Sequence, residues 1–384
     1  MIERALWLDR VLRAWSRRSV VWLSGVRRVG KTTLARMLPD ENVIHLNCDL
    51  PSSLRALEDP ELFLEGQTPG AVVVLDEVHR LTDPSRLLKI AADEYPQVRV
   101  LATGSSTLAA TGKFRDSLTG RKAEVHLCPV LWEECSGPFG IGSLDRRLLH
   151  GGLPEPLLAE RKDPEFFSEW IDGFYARDIL ELFAIRNRQG FLSLFRLLLR
   201  QSGGQLDYGK LASLSELSRP SVKAHIEAMQ IAHAVHLVRP FHGGGRREIV
   251  SRPKCYAFDT GFVTLEKGWD SVRDDDRGLL WEHLVLDALR FRHRDEDIFY
   301  WLDKSRREVD FVVRRGRDRL DLFECRIDPD RLNIAAVQAF REIYPLGDNY
   351  LVSPAAKRPY RVRRGDWVFN VCTTGGLPAT TGLA

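Results

Sequence analysis

The sequence predicts an α/β protein of several domains: a parallel sheet covered by helices, then helical and helix-turn-helix segments, then a smaller α/β sheet. Three observations carry this. Short apolar runs at 19–25, 42–47, 71–77 and 98–106 alternate with longer helical stretches, as strands buried on both faces of a parallel sheet do. The first run leads through a glycine-bearing turn straight into a helix. Later, 298–302, 308–313 and 320–327 read as strands flanked by helical stretches, so a second sheet is expected. At 384 residues the chain is longer than one core usually fills.

In chain order, Leu8, Val11, Leu12 and Trp15 repeat at helical spacing, which predicts an amphipathic helix over 2–17. The four apolar runs follow, with a fifth candidate strand in "AEVHLCPV", and the first domain, 1–137, closes at "SGPFGIGS". Residues 138–204 are mostly helical. Residues 205–270 hold two short helices and then two strand-like pieces around "HGGGRRE". Residues 271–372 open on the helix "GLLWEHLVLDALRFR" and include a helix at 333–343 and a strand at 349–353. The small, polar tail 373–384 is expected to be disordered.

Composition is that of an ordinary globular chain, 44% hydrophobic and 28% charged, with a net charge of +3 that is too mild to imply nucleic acid. Local clusters say more: Arg314, Arg315, Arg317 and Arg319 form one basic run, and Lys357, Arg358, Arg361, Arg363 and Arg364 another. The six cysteines show no C-x-x-C spacing, which argues against structural zinc and a disulfide framework and suits a cytoplasmic protein. The charged N-terminus does not read as a signal peptide, and no run reaches the ~20 apolar residues that span a bilayer.

Gly25-Val26-Arg27-Arg28-Val29-Gly30-Lys31-Thr32, followed by Thr33, fits G-x-x-x-x-G-K-[ST] between a strand and a helix. Such a loop turns its N–H groups toward phosphate oxygens, and the helix N-terminus adds positive potential. Lys31 is expected to reach the β- and γ-phosphates of ATP, and the Thr32 hydroxyl to ligate Mg2+. The strand "VVVLD" delivers Asp76 to the Mg2+ shell, and Glu77 is placed to activate the attacking water. At the end of the next strand, "TGSS", Ser105 is a candidate to hold that water; the alternative is a plain turn. Arg121 and Arg177 are both candidates for balancing charge on the γ-phosphate.

"DYGKLASLSELSRPSVKAHIEAM" fits two helices joined by a turn, with Ser218 as N-cap and Pro220 in the first turn. Val222, Ile226 and Met229 make the buried stripe, leaving Arg219, Ser221 and Lys223 at the end that touches DNA in such units. Arg246 and Arg247 would tip a wing that contacts phosphate. Protein packing is an equally open role for this module. In the last domain Asp310, Glu324 and Arg326 approach Asp…Glu-x-Lys, the core of a class of metal-dependent nucleases, with arginine at the lysine position. Asp310 and Glu324, supported by Glu282, could ligate Mg2+; the alternative is a hairpin of solvated charges.

Together "GVRRVGKTT", "VVVLDEVHR", "TGSS", "SLTGR", "GGLPE", "YARDI", the helix-turn-helix, "PKCYAFDTG", "LLWEHLV", "REVDF" and "FECR" resemble the prokaryotic AAA-type P-loop ATPases that carry a C-terminal restriction-endonuclease-like (PD-(D/E)XK-type) domain. The resemblance covers about 1–355. It implies an AAA-type ATPase core (1–137), a helical lid (138–204), a winged-helix module (205–270) and a nuclease-like domain (271–372). It also implies that Arg121 belongs to an ATP site, reaching a neighbouring copy in a homo-oligomer. Arg326 departs from the family pattern. Arginine stays protonated and cannot take a proton from water, so DNA cleavage is expected to be weak or absent. The reading is an ATPase that uses ATP and Mg2+ and acts with DNA through backbone contacts. The rival is a nucleotide switch, slow in hydrolysis, that regulates binding to DNA or to a protein.

Overall fold

A computed structural model describes residues 2–39, 42–104, 116–183, 185–243 and 252–379. The chain divides into two units, one of Met1–Cys128, Glu169–Arg186 and Ile231–Ala234, the other of Pro129–Ser168, Asn187–Gln230 and Val235–Ala384.

The first unit is a five-stranded sheet in the order β2-β3-β4-β1-β5, all neighbours parallel. Its strands are β1 (Val20–Ser24), β2 (Val43–Asn47), β3 (Val72–Asp76), β4 (Arg99–Thr103) and β5 (Lys122–His126). The three inner strands are buried almost throughout; the edges β2 and β5 are partly exposed, so burial on both faces holds only for the centre. Trp22, Val73, Leu75 and Val100 pack with Leu87 and Leu88 of helix Pro84–Asp93. Truncating a core aromatic such as Trp22 to alanine costs about 3–5 kcal/mol by the usual cavity and transfer terms.

The N-terminal helix, Ala5–Trp15, buries Trp7, Leu8, Val11 and Ala14. Leu12, expected in that stripe, is 38% exposed, because the buried face is rotated toward Trp7. Ahead of this helix, buried Arg4 donates to the carbonyls of Cys128 (3.2 Å) and Val29 (3.4 Å) and so ties the loop after β1 to the end of β5.

The second unit holds a nine-stranded sheet ordered β13-β14-β12-β11-β10-β9-β7-β8-β6. These are β6 (Gly204–Gln205), β7 (Val235–Pro240), β8 (Lys254–Ala257), β9 (Ile298–Leu302), β10 (Glu308–Arg314), β11 (Leu320–Cys325), β12 (Asn349–Val352), β13 (Tyr360–Arg364) and β14 (Trp367–Cys372). β9, β10 and β11 run antiparallel, β11, β12 and β14 parallel, and β7 joins β9 in parallel. Trp301, Val312, Leu322, Phe340 and Phe369 form its core. β13 and β14 make an antiparallel hairpin where the sequence showed only a basic run. Residues 373–379 are not a loose tail: Thr374 and Leu377 are buried.

Helices Tyr208–Ser215 and Arg219–Ile231 lie between β6 and β7 in the chain. Ser218 Oγ accepts from Ser221 N at 3.2 Å, as an N-cap does, and Val222, Ile226 and Met229 are buried as the periodicity demands. Arg246 and Arg247 lie outside the described residues.

Candidate functional site

The loop after β1 has the curled backbone that a phosphate cradle needs. Gly25 has φ +148°, and a Cβ there would come within 2.7 Å of the Leu127 carbonyl oxygen, so only glycine lets the chain curl this closely. Arg28 and Gly30 also have positive φ, and helix Lys31–Ala35 starts at once. Lys31 Nζ donates to the carbonyls of Gly25 (2.8 Å) and Val26 (3.3 Å). Burial pulls its pKa below the ordinary lysine value, opposed by Glu77, Asp178 and Asp76. A phosphate would restore the partner that burial removes.

Strand order explains the acidic half. β4 lies between β1 and β3, so the Thr103 hydroxyl at its end reaches Asp76 at the end of β3. Thr32 Oγ1 donates to the other Asp76 oxygen at 2.8 Å. One carboxylate thus joins the cradle helix to the middle of the sheet. Asp76 and Thr32 present hard oxygen donors, which fits Mg2+, an ion that keeps waters and phosphate oxygens as its remaining ligands. Glu77 follows with φ +55°, a left-handed conformation for a non-glycine residue, and its N–H meets Thr103 Oγ1 at 3.3 Å. His79 Nδ1 is 3.1 Å from Glu77 Oε2, and the imidazole beside the carboxylate holds the Glu77 pKa below the usual carboxylate value.

Sequence reasoning missed three residues that brace this loop. Trp170 Nε1 donates to the Arg27 carbonyl at 2.9 Å, Arg27 Nη1 donates to Gly173 O at 3.2 Å, and Asp178 Oδ2 lies 3.9 Å from Arg27 Nη1. Gly173 closes an α-helix that continues as a π-helical turn, Phe174–Ile179, carrying Arg177 and Asp178. Such turns recur at functional sites. Arg121 is paired with Asp93 at 2.7 Å on helix Pro84–Asp93. Ser105 lies outside the described residues; among those described, the Thr103 hydroxyl reaches Asp76.

In the second unit, the register that pairs Phe311 with Phe323 brings Asp310 alongside Glu324. Arg326 engages both: Nη1 reaches Asp310 Oδ2 at 2.7 Å and Nη2 reaches Glu324 Oε2 at 2.5 Å. Lys254, on β8, lies 2.5 Å from Glu308 and 4.0 Å from Glu282, and Tyr256 donates to Glu282 at 3.1 Å. Burial opposes the Lys254 charge, but Glu282, Glu308 and Asp310 outweigh it and raise its pKa. Burial, with Asp310 nearby, pushes the Glu282 pKa up to about 7. Glu324 is fully buried, and its Oε1 has no hydrogen-bond partner among the described residues.

This arrangement does not fit a resident Mg2+ on Asp310 and Glu324. Arg326 already holds both carboxylates, Lys254 pairs with the neighbouring Glu308, and among the described residues no group of three or more His, Cys, Asp or Glu is arranged to hold a metal. Three of the four arginines in the basic run have an acidic neighbour. Arg314 pairs with Asp297 at 3.0 Å, Arg319 with Asp348 at 2.6 Å, and Arg315 lies 3.9 Å from Asp321.

Residues 17–136 match the AAA domain family. Residues 141–272 and 277–373 match two domains of unknown function, DUF8612 and DUF4143. An uncharacterised protein of Mycobacterium tuberculosis is 29% identical over 325 residues, 82% of this chain and 71% of that protein. The Holliday junction branch migration complex subunit RuvB of Parafrankia sp. is 36% identical over 81 residues, 21% of this chain and 23% of that protein. Among solved structures, a Walker-type ATPase of Pyrococcus abyssi aligns with a TM-score of 0.45 and 15% identity, covering 70% of this chain and 96% of that one. No helix among the described residues is long and apolar enough to cross a membrane. The chain is a mixed α/β protein with a P-loop parallel sheet and a further sheet, and its residues 17–136 form an AAA-type P-loop ATPase domain.

Proposed function

We propose that the protein is a Mg2+-dependent ATPase that acts with DNA. The observation that carries this is the Thr32–Asp76–Thr103 chain of hydrogen bonds, which joins the phosphate cradle to an acidic pair ending in Glu77. Lys31 exchanges two loop carbonyls for β- and γ-phosphate oxygens. Thr32 and Asp76 would hold Mg2+, which would supply charge neutralisation to the phosphates when bound. Glu77, kept ionised by His79, accepts a proton from the attacking water. In a homo-oligomer Arg121 would serve a neighbouring site only after leaving Asp93.

The DNA reading rests on the two helices followed by the β7 and β8 hairpin, which has the order of a winged-helix module, with Arg219 and Lys223 exposed at the start of the second helix. The match to a branch migration subunit is consistent with it. The last domain is read, as from the sequence, as nuclease-like but non-cutting, because Arg326 holds both Asp310 and Glu324 and Lys254 pairs with Glu308. Six buried free thiols suit a reducing, cytoplasmic setting.

One observation favours the nucleotide-switch reading. Trp170, Gly173 and Asp178 contact Arg27, so a shift of the loop on nucleotide binding would be passed to the segment they belong to. The test is phosphate release by the parent and Lys31→Ala, with and without duplex DNA. A Lys31-dependent rate that rises several-fold with DNA supports the ATPase reading. A slow rate indifferent to DNA supports the switch, and phosphate release that survives Lys31→Ala removes both.

A further inference from the structure

The second basic run of the sequence lies on and just before the hairpin of β13 and β14, at one end of the nine-stranded sheet. β13 pairs with β14 alone, so its other side is an open edge. Lys357, Arg358, Arg361 and Arg363 are all exposed. Arg364 is engaged by Asp330, and Asp366, in the turn, is the one acid in the sequence from 355 to 372. Among the described residues no acid lies within ion-pair distance of Lys357, Arg358, Arg361 or Arg363. Arg361 Nε donates to a neutral partner, Asn370 Oδ1, at 3.2 Å.

Cations on an edge strand commonly guard it against pairing with another chain. That accounts for the charges and not for what sits among them. Tyr360, the first residue of β13, is 47% exposed, and among the described residues no other aromatic side chain is as exposed. A large ring left in water between Arg358 and Arg361 is a stacking surface with a cation on either side of it in the chain.

We infer that this edge binds single-stranded DNA, with a base stacked on Tyr360 and phosphates on Lys357, Arg358, Arg361 and Arg363. The inference rests on the reading above that the chain acts with DNA, and it names the form bound here. A duplex keeps its bases stacked on one another and would leave Tyr360 unused, whereas an unstacked base finds a platform on an exposed ring. The strand register supports this division. Arg361 and Arg363 pair with Asn370 and Val368 across the hairpin and share one face of the pleat; Tyr360, paired with Val371, belongs to the other. A nucleotide strand likewise carries bases and phosphates on opposite sides of its sugars, so a strand laid along the open edge can use both faces at once. From Lys357 to Arg363 an extended chain covers up to about 20 Å, which suits a run of phosphates better than a single one.

The test is binding of a labelled oligothymidylate of about 20 nucleotides, and of a duplex of the same length, to the full chain over a salt series. The variants are Tyr360→Ala, Tyr360→Phe, Arg361→Ala/Arg363→Ala and Arg219→Glu/Lys223→Glu. Tyr360→Ala is expected to weaken single-strand binding about 5- to 150-fold with the salt slope unchanged, because stacking releases no counterions, and Tyr360→Phe to stay near parental. Arg361→Ala/Arg363→Ala is expected to lower the slope of log K against log salt by about 1.4, at about 0.7 per phosphate contact on a single strand. An equal loss of duplex binding in Tyr360→Ala overturns the preference for a single strand. Parental single-strand affinity in both Tyr360→Ala and Arg361→Ala/Arg363→Ala, with duplex binding lost in Arg219→Glu/Lys223→Glu, overturns this surface and leaves the DNA reading standing. No binding of either DNA by the parent at low salt overturns both. Polyglutamate bound as tightly as the oligonucleotide and unaffected by Tyr360→Ala overturns the assignment to DNA in favour of an acidic protein partner.

Discussion

Thr103→Val removes one hydroxyl and almost nothing else. Thr103 is fully buried at the end of β4, and valine keeps its shape and suits a strand. The hydroxyl does two things: it donates to Asp76 and accepts from Glu77 N at 3.3 Å. The first is a hydrogen bond to a charged group, worth about 1.5–3 kcal/mol; the second is long and adds little. If that energy orients Asp76 and Glu77 for chemistry rather than for binding, kcat should fall roughly 10- to 150-fold, at 1.36 kcal/mol per decade. ATP affinity should change less than about threefold, because Lys31 and the loop N–H groups are untouched. The assay is steady-state phosphate release with a parallel fluorescent-nucleotide titration, and Thr103→Ser should recover most of the rate. A parental kcat for Thr103→Val refutes the role assigned to this hydroxyl. A large loss of affinity with kcat intact refutes the division between binding and chemistry.

The acidic cluster of the second unit should not cut DNA: incubation with Mg2+ or Mn2+ should leave plasmid intact, and efficient cutting that Asp310→Ala abolishes would overturn the closed-cluster reading. Arg326→Lys, which shortens the cation that holds Asp310 and Glu324, is the variant in which cutting or Mn2+ binding should first appear. Asp287, buried 3.8 Å from Arg147, has its pKa raised to about 7 by desolvation, with Arg147 and Arg290 opposing and Asp259 and Asp295 adding to the rise. The folded protein then holds a proton that the unfolded chain has lost, so stability should fall as pH rises from about 4 to 7, by up to a few kcal/mol. Asp287→Asn should therefore melt higher relative to the parent at pH 8 than at pH 5; an equal difference at both pH values contradicts the assignment.

The phosphate cradle was legible because its signal is local: two glycines, a lysine and a threonine within eight residues, between an apolar run and a helix. The strands of the first sheet and β9 to β12 of the second were legible from apolar runs, and the hairpin of β10 and β11 from the basic turn between them, whereas β13 and β14 were masked by their arginines. What joins distant segments was not. Thr103 meets Asp76 only because β4 inserts between β1 and β3, an order that no local pattern encodes. Lys254 and Tyr256 reach Glu308 and Glu282 from another strand, and the one hint was a lysine opening an otherwise apolar strand, "KCYA". Conversely, the run at 314–319 looked free in the sequence because its aspartates lie at 297, 321 and 348.

The central claim is that Glu77 activates water at a site that Lys31, Thr32 and Asp76 assemble around Mg2+ and ATP. Glu77→Gln keeps the side chain's size while removing the proton acceptor, and the Glu77 N–H contact to Thr103 belongs to the backbone and survives. The direct measurement is single-turnover ATP hydrolysis by Glu77→Gln with its nucleotide affinity measured on the same preparation. The expected result is ATP bound as tightly as by the parent, with the Mg2+-dependent hydrolysis rate at least about 100-fold lower. Hydrolysis by Glu77→Gln at the parental rate, with binding intact, would contradict it.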